Sequence, residues 1–239
     1  MQRQTTAVVA MDGPAGAGKS TVARRVAQAF GFTLLDTGAL YRTVALAARR
    51  AGVTLSDGEA MTRFAEQLVA RNGLEIEPTE ASGMRVRLDG EEVGQAIRTP
   101  EISMGASQVS AIPGVRSALL ALQRDFVRLG RARGVVCEGR DIGTVVFPNA
   151  DVKLFLTASV DVRAERRYRE LADEGASVSL EATRQEVIQR DAQDEGRAIA
   201  PLRRADDAIL VDSTGLDLEG VVDKAVDLVR ARLAAEAAR

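Results

Sequence analysis

Histidine is absent from all 239 residues. Its absence excludes imidazole general acid/base catalysis, serine triads that use a His base, and imidazole metal sites. There is one cysteine, Cys137, so no intramolecular disulfide can form, and its place in the apolar run Gly134 to Cys137 predicts a buried strand thiol. No hydrophobic run reaches membrane-span length, and the amino terminus has no apolar core behind a basic start. The expectation is a cytoplasmic chain with no membrane partner. An excess of one charge is also missing: 32 Lys plus Arg stand against 34 Asp plus Glu, a formal net charge of −2, so no global basic field draws nucleic acid. Chemistry is left to Lys, Arg, Asp, Glu and a bound metal. Phosphoryl transfer suits that inventory, because it depends on positioning and charge neutralisation more than on proton shuttling.

What is present begins with an apolar run, Ala7 to Met11, followed by Gly13-Pro14-Ala15-Gly16-Ala17-Gly18-Lys19-Ser20. This fits Gly-x-x-x-x-Gly-Lys-Ser/Thr at the strand-to-helix position where such a segment cradles phosphate. Small residues let the backbone N–H groups curl around an anion, and the following helix adds the positive end of its dipole. Lys19 would reach the β and γ phosphates, and Ser20 offers a hydroxyl to Mg²⁺. The plainer alternative is a glycine-rich turn with a surface lysine.

With 46% apolar residues the chain can build a sizeable interior. The expected order is strand Ala7 to Met11, helix Lys19 to Phe30, strand Thr33 to Leu35 and a helix from Gly38 through Ala51. Later runs at Val135 to Cys137, Val152 to Thr157 and Ala208 to Val211 extend this to about five parallel strands in a doubly wound layout. The fold class is therefore α/β. Ser56 and Glu59 are spaced to cap a helix through Val69, and Thr214 and Asp217 form a capping box before a last helix, Leu218 to Leu233, beyond which the Ala-rich residues fray. Between Gly52 and Ser110 the pattern changes: Leu74 to Glu77 and Met84 to Leu88 alternate, closed by Asp89-Gly90, which signals hairpins. Thr99-Pro100-Glu101 then starts a helix. A short antiparallel sheet interrupting a parallel α/β chain reads as an inserted lobe, hence two lobes and a cleft.

Four further polar clusters accompany the loop. Asp36 to Arg42 lies at the carboxyl end of the second strand, where ligands of open α/β sheets gather, and Arg42 and Thr37 could hold a second phosphate; a helix cap with a surface arginine is the alternative. Glu138-Gly139-Arg140-Asp141 follows another strand. Glu138 could orient water on Mg²⁺ and Arg140 neutralise phosphate, or the two could simply pair across a turn. Arg190, Asp194 and Arg197 are spaced to share one helix face, and Arg163, Arg166, Arg167 and Arg169 form a knot that either closes over a triphosphate or is a solvated face.

Taken together, Asp12 to Thr21, Asp36 to Arg42, Ala106 to Val109, Glu138 to Pro148 and Arg197 to Leu202 resemble the bacterial cytidylate kinase family. The phosphate loop is shared by many NTPases, whereas the Gly139-Arg140-Asp141 segment running into Phe147-Pro148 is much more specific. The resemblance spans nearly the whole chain. It implies a P-loop core of residues 1–36 and 107–239 with a short lid near 159–175, and a CMP-binding lobe of residues 37–106 with an insert near 62–98. It further implies that Gly13 to Thr21 hold ATP, that Arg42 and Arg140 grip the CMP phosphate beside Thr37, and that Ser107, Arg116 and Asp141 read the cytosine edge. Arg190 and Asp194 would contact the ribose, with Arg197 near the phosphates. Cytosine offers an N4 donor with O2 and N3 acceptors, which a carboxylate, a hydroxyl and a guanidinium satisfy. The departures are small: Thr37 replaces a serine found in some members, and Gly196 ends the helix before Arg197.

The expected reaction is in-line transfer of the ATP γ-phosphoryl group to CMP or dCMP, with ATP and Mg²⁺ required and Lys19, Arg42, Arg140 and Arg197 neutralising charge. The resemblance implies a monomer. Two alternatives stay open on the residues alone: another small kinase of the adenylate or shikimate type, and a nucleotide-dependent switch that transfers no phosphate to a small molecule.

Overall fold

The structure is a computed structural model that describes residues 6–79, 83–129, 133–173 and 175–237. Its elements run β1 (Ala7–Asp12), α1 (Lys19–Phe30), β2 (Thr33–Asp36), α2 (Thr37–Arg50), α3 (Gly58–Ala70), β3 (Leu74–Thr79), β4 (Gly83–Leu88), β5 (Glu91–Glu92), α4 (Pro100–Val109), α5 (Pro113–Leu129), β6 (Gly134–Gly139), β7 (Val152–Thr157), α6 (Val160–Asp173), α7 (Leu180–Glu195), β8 (Ile209–Asp212) and α8 (Leu218–Ala237). Five strands form one parallel sheet in the order β2-β6-β1-β7-β8. This is the α/β class expected from the alternation of strand and helix patterns.

Side-chain alternation explains why both sheet faces are covered. Along β1, Val9 and Met11 join Val136, Leu154, the α1 residues Val22 and Val26, and the α8 residues Val221, Val222, Ala225 and Val229. Ala10, on the other face, packs with Leu35, Val135, Cys137 and, from α5, Val127. Cys137 is fully buried, as its apolar run predicts.

A second sheet of three antiparallel strands interrupts this pattern in the order β3-β4-β5. Ile76 faces Val86 across the first pair. Asp89 (φ 49) and Gly90 (φ 83) both take left-handed conformations in the turn to β5, the geometry of a tight hairpin connection. Leu74, Val86 and Leu88 pack with Leu40 and Val44 of α2, Met61 and Leu68 of α3, Ile102 of α4 and Leu119 of α5 in a separate apolar cluster.

Helix ends differ from expectation in three places. Asp57, not Ser56, caps α3 by accepting from the N–H of Ala60 at 2.9 Å. Asp217 alone caps α8, accepting from Gly220 at 2.9 Å, because the Thr214 hydroxyl is turned away to donate to Asp212 at 2.6 Å. Helix α8 continues to Ala237 rather than stopping at Leu233, in keeping with the high helix propensity of alanine. Thr99 caps α4 as expected, with Pro100 in the first turn.

Candidate active site

Parallel register brings the site together. Asp12 at the end of β1 pairs with Gly139, and Asp36 at the end of β2 pairs with Glu138, so three segments singled out in the sequence end at one carboxyl edge. A cleft of about 910 Å³ opens there. Crevices outside the carboxyl ends of such sheets are where ligands bind.

The phosphate loop forms one wall. Ala15 to Thr21 line the cleft, while Gly13 and Pro14 shape the loop. Gly13 sits at φ 148, and a Cβ added there would lie 1.9 Å from the carbonyl oxygen of Leu156 in β7. Only glycine allows that approach. Gly18 is also left-handed, at φ 85, and hands the chain to α1. Lys19 is 6% exposed and donates from Nζ to the Pro14 carbonyl at 2.6 Å. Burial pushes its pKa well down, Arg140 adds to the effect, and Glu138 opposes it. A buried ammonium folded onto its own loop is ready to exchange that carbonyl for phosphate oxygen.

Glu138 is 4% exposed, and burial and the neighbouring Asp36 raise its carboxyl to about 7. One carboxylate oxygen, Oε1, is buried without a partner, and the neighbouring Ser20 hydroxyl works to lower the pKa of the same carboxylate. An orphaned oxygen beside a hydroxyl at the phosphate wall suits a hard cation that takes few protein ligands and completes its shell with phosphate and water. No group of three acidic or thiol side chains among the described residues could hold a metal alone. The Ser20 hydroxyl and the Glu138 carboxylate are a donor pair of the hard oxygen type that fits Mg²⁺.

The opposite wall is cationic. Arg42 pairs with Asp36 at 2.8 Å. Asp194, its side chain 2% exposed, accepts from Arg140 Nε at 2.8 Å and from Arg197, and although burial opposes its ionisation those two guanidinium groups hold its pKa below the usual carboxylate value. Arg190 has a buried Nε without a partner; burial and Arg140 lower its pKa to about 10. Three of the cations thus gather around one carboxylate, and Arg190 lacks full hydrogen bonding. Such a cluster accepts a polyanion readily. Arg140 pairs with Asp194, not with Glu138, which removes the alternative of a simple pair across the turn.

Asp141 and Arg116 pair through a buried side-chain bond. Arg116 also donates to the Ser110 carbonyl at 3.1 Å and lies 5.5 Å from the centre of the Tyr41 ring. Ser107 lines the same part of the cleft and donates to Gln193 at 3.3 Å. Thr37 lines it too, but its hydroxyl is already donated to the Glu138 carbonyl at 2.8 Å, joining the start of α2 to β6.

The sequence pattern misplaced two groups. Arg197 lies beyond the end of α7 and does not share its helical face with Arg190 and Asp194; its bond to Asp194 and a second, at 3.0 Å, to Ser110 bring it back. Within the α6 arginines, Arg163 does not line the cleft: its guanidinium is buried against Asp191 and donates at 3.0 Å to the Ala15 carbonyl of the phosphate loop. Arg166, Arg167 and Arg169 do line it, with Arg166 donating to Ser213. Tyr41 and Ser110 were not singled out for any role, yet both line the cleft beside Arg116. Tyr41 stood inside the Asp36 to Arg42 cluster, one position before an arginine, so a signal existed; Ser110 carried none.

Sequence comparison agrees with this geometry. The cytidylate kinase family model matches residues 9–231. A cytidylate kinase of Geobacter sulfurreducens is 51% identical over 226 residues, covering 94% of this chain and 93% of its own length. One from Pseudomonas aeruginosa is 50% identical over 220 residues, covering 90% and 92% respectively. With a phosphate loop facing a buried Arg and Asp set across one cleft, and with half of its residues shared over nearly full length, the chain belongs to the cytidylate kinase family.

Proposed function

We propose that the protein transfers the γ-phosphoryl group of ATP to CMP, and also to dCMP, giving CDP or dCDP and ADP. The observation that carries this reading is the second cationic set facing the phosphate loop: Arg42, Arg140, Arg190 and Arg197 line the same cleft as Lys19. A nucleotide-dependent switch has no use for a second phosphate site.

In this reading Gly13 to Thr21 bind ATP, and Lys19 leaves the Pro14 carbonyl for the β and γ phosphates. Arg42 and Arg140 hold the acceptor phosphate beside Thr37, while Ser107, Arg116 and Asp141 read the cytosine edge. The buried Arg116–Asp141 pair supports that role, because a carboxylate and a guanidinium side by side can accept from N4 and donate to O2 and N3. Arg190 and Asp194 contact the ribose, and Arg197 lies near the phosphates. Ser20 and Glu138 hold Mg²⁺, which when bound supplies charge neutralisation on the transferred group. The acceptor phosphate already carries the nucleophilic oxygen, so no general base is required, consistent with a chain that has no histidine. Residues 37–106 act as the CMP-binding lobe with an insert near 62–98, of which residues 80–82 lie outside the described residues. Residues 1–36 and 107–239 act as the core, and the segment near 159–175 as a lid whose closure excludes water; of these, residues 1–5, 130–132, 174 and 238–239 lie outside the described residues. The enzyme works as a cytoplasmic monomer on small nucleotides, with no nucleic-acid or membrane partner; no helix among the described residues is long and apolar enough to cross a membrane.

Replacing Lys19 by alanine tests this. CMP turnover should fall by at least about a hundredfold, with CMP binding by calorimetry largely intact. Near-normal turnover would reject the role of Lys19.

A further inference from the structure

Residues Ile142–Val146 form a π-helical turn, a rare geometry that concentrates at functional sites. Val146 and Phe147 donate their backbone N–H groups to the carbonyls of Asp141 and Ile142 at 3.1 and 2.7 Å. This turn directly follows Arg140 and Asp141, so its orientation sets theirs. Its two ends are held from elsewhere in the fold. At the start, the Asp12 carboxylate accepts from the N–H groups of Ile142 and Gly143, each at 2.8 Å. At the finish, Arg124 of α5 donates from Nε to the Val146 carbonyl and from Nη2 to the Val145 carbonyl, each at 3.1 Å. A Cβ added at Gly143 would stand 3.1 Å from Lys153 Cδ and 3.4 Å from Asp12 Oδ2.

Asp12 is the last residue of β1, and the phosphate loop begins at the next residue. A single carboxylate therefore spans from the donor-side loop to the acceptor-side segment, 130 positions away in sequence. Keeping a charge there is costly: Asp12 is 5% exposed, and burial raises its carboxyl to about 6 despite the two N–H donors and Lys19, with Asp141 adding to the rise. Neither Asp12 nor Arg124 belongs to the described residues lining the cleft. We propose that Asp12 and Arg124 are positioning residues that clamp the 142–146 turn at its two ends and so fix Arg140 and Asp141 at a set distance from the phosphate loop.

The inference rests on the CMP kinase reading and is tested by steady-state kinetics in which CMP and ATP are varied separately, alongside thermal unfolding. Arg124→Ala should raise KM for CMP about tenfold and leave KM for ATP within about twofold, since small displacements of a positioning group cost one to two decades. Arg124→Lys, which keeps one donor, should recover part of the loss. Asp12→Asn, with one acceptor oxygen replaced by a donor, should raise KM for CMP and also lower kcat by roughly tenfold to a hundredfold. Variants that lose thermal stability but keep the wild-type KM for CMP, or that shift both KM values equally, would overturn the clamp. If Asp12→Asn does not fold, the two Arg124 variants decide the matter alone. A wild type inactive on CMP would count against the substrate reading instead, and the same split is then read on whichever monophosphate it converts.

Discussion

Replacing Asp194 by alanine removes the carboxylate around which the cationic wall of the cleft is assembled. Its side chain is 2% exposed, it accepts from Arg140 at 2.8 Å and from Arg197, and its charge also acts on Arg190 and Lys19. Without it, Arg140 and Arg197 lose their carboxylate partner and Arg190 a counter-charge, while Lys19 keeps Glu138 as the nearer anion. Breaking a buried ion pair from one side costs about 3–5 kcal/mol, because the partner charges stay desolvated. The cluster left behind is an anion trap, so inorganic phosphate or CMP should restore part of the loss; at a ligand concentration a hundred times its Kd the return is about 2.7 kcal/mol. Urea denaturation at pH 7, with and without phosphate, measures both quantities. Asp194→Asn, which keeps the shape and one acceptor, should lie between wild type and alanine. A loss below about 1 kcal/mol for alanine, or a loss that phosphate does not reduce more than it does in the wild type, would refute the view of Asp194 as the counter-ion of this wall.

Three other outcomes follow from the same geometry. Gly13→Ala places a Cβ 1.9 Å from a strand carbonyl at φ 148, and should cost on the order of 4 kcal/mol, read as a fall in Tm of roughly 10 °C; a shift under about 2 °C would contradict the close packing of loop against β7. Burial raises the Asp12 carboxyl to about 6, above the ordinary aspartate value of 3.8, so the folded state binds the extra proton between those values and stability gains as pH falls through that window. The difference in unfolding free energy between wild type and Asp12→Asn should accordingly move by about 2 kcal/mol in favour of wild type from pH 7 to pH 4.5; a flat difference would deny the raised pKa. Burial pushes the Cys137 thiol up, so the native protein at pH 8 should resist alkylation by iodoacetamide that goes to completion in urea, and rapid native labelling would contradict its burial.

Local pattern made much of this readable from the chain. The run Ala7 to Met11, the glycines after it and Lys19 mark a strand, a loop and a helix within thirty residues, and the helix Lys19–Phe30 has the expected limits. The alternation at Leu74 and Met84 carried the small sheet in the same way. Where two neighbouring residues could do one job the pattern could not choose: Ser56 and Asp57 are both good caps, and three-dimensional placement decided for Asp57. Partnerships across long separations left no local trace. Nothing in the segment around Asp12 announces Ile142 and Gly143, and Arg140 gave no sign that it would meet Asp194 rather than Glu138. Arg163 looked like its neighbours on α6, yet the fold buried it against Asp191 and turned it toward the Ala15 carbonyl. Charged residues at helical spacing show which face they occupy, but tertiary packing decides which of them meets a ligand.

On the proposed reading, one cleft holds ATP on the loop at Gly13 to Thr21 and cytidine monophosphate against Ser107, Arg116 and Asp141. The most direct check is a competition: the protein with ATP, Mg²⁺ and equal concentrations of CMP, dCMP, UMP and AMP, each monophosphate labelled in its base so that ADP made from AMP is told apart from ADP left by ATP, with each labelled diphosphate quantified at early times. CDP and dCDP should form first, with AMP left essentially untouched. Preferential formation of ADP from AMP, or consumption of ATP with no cytidine diphosphate formed, would contradict it.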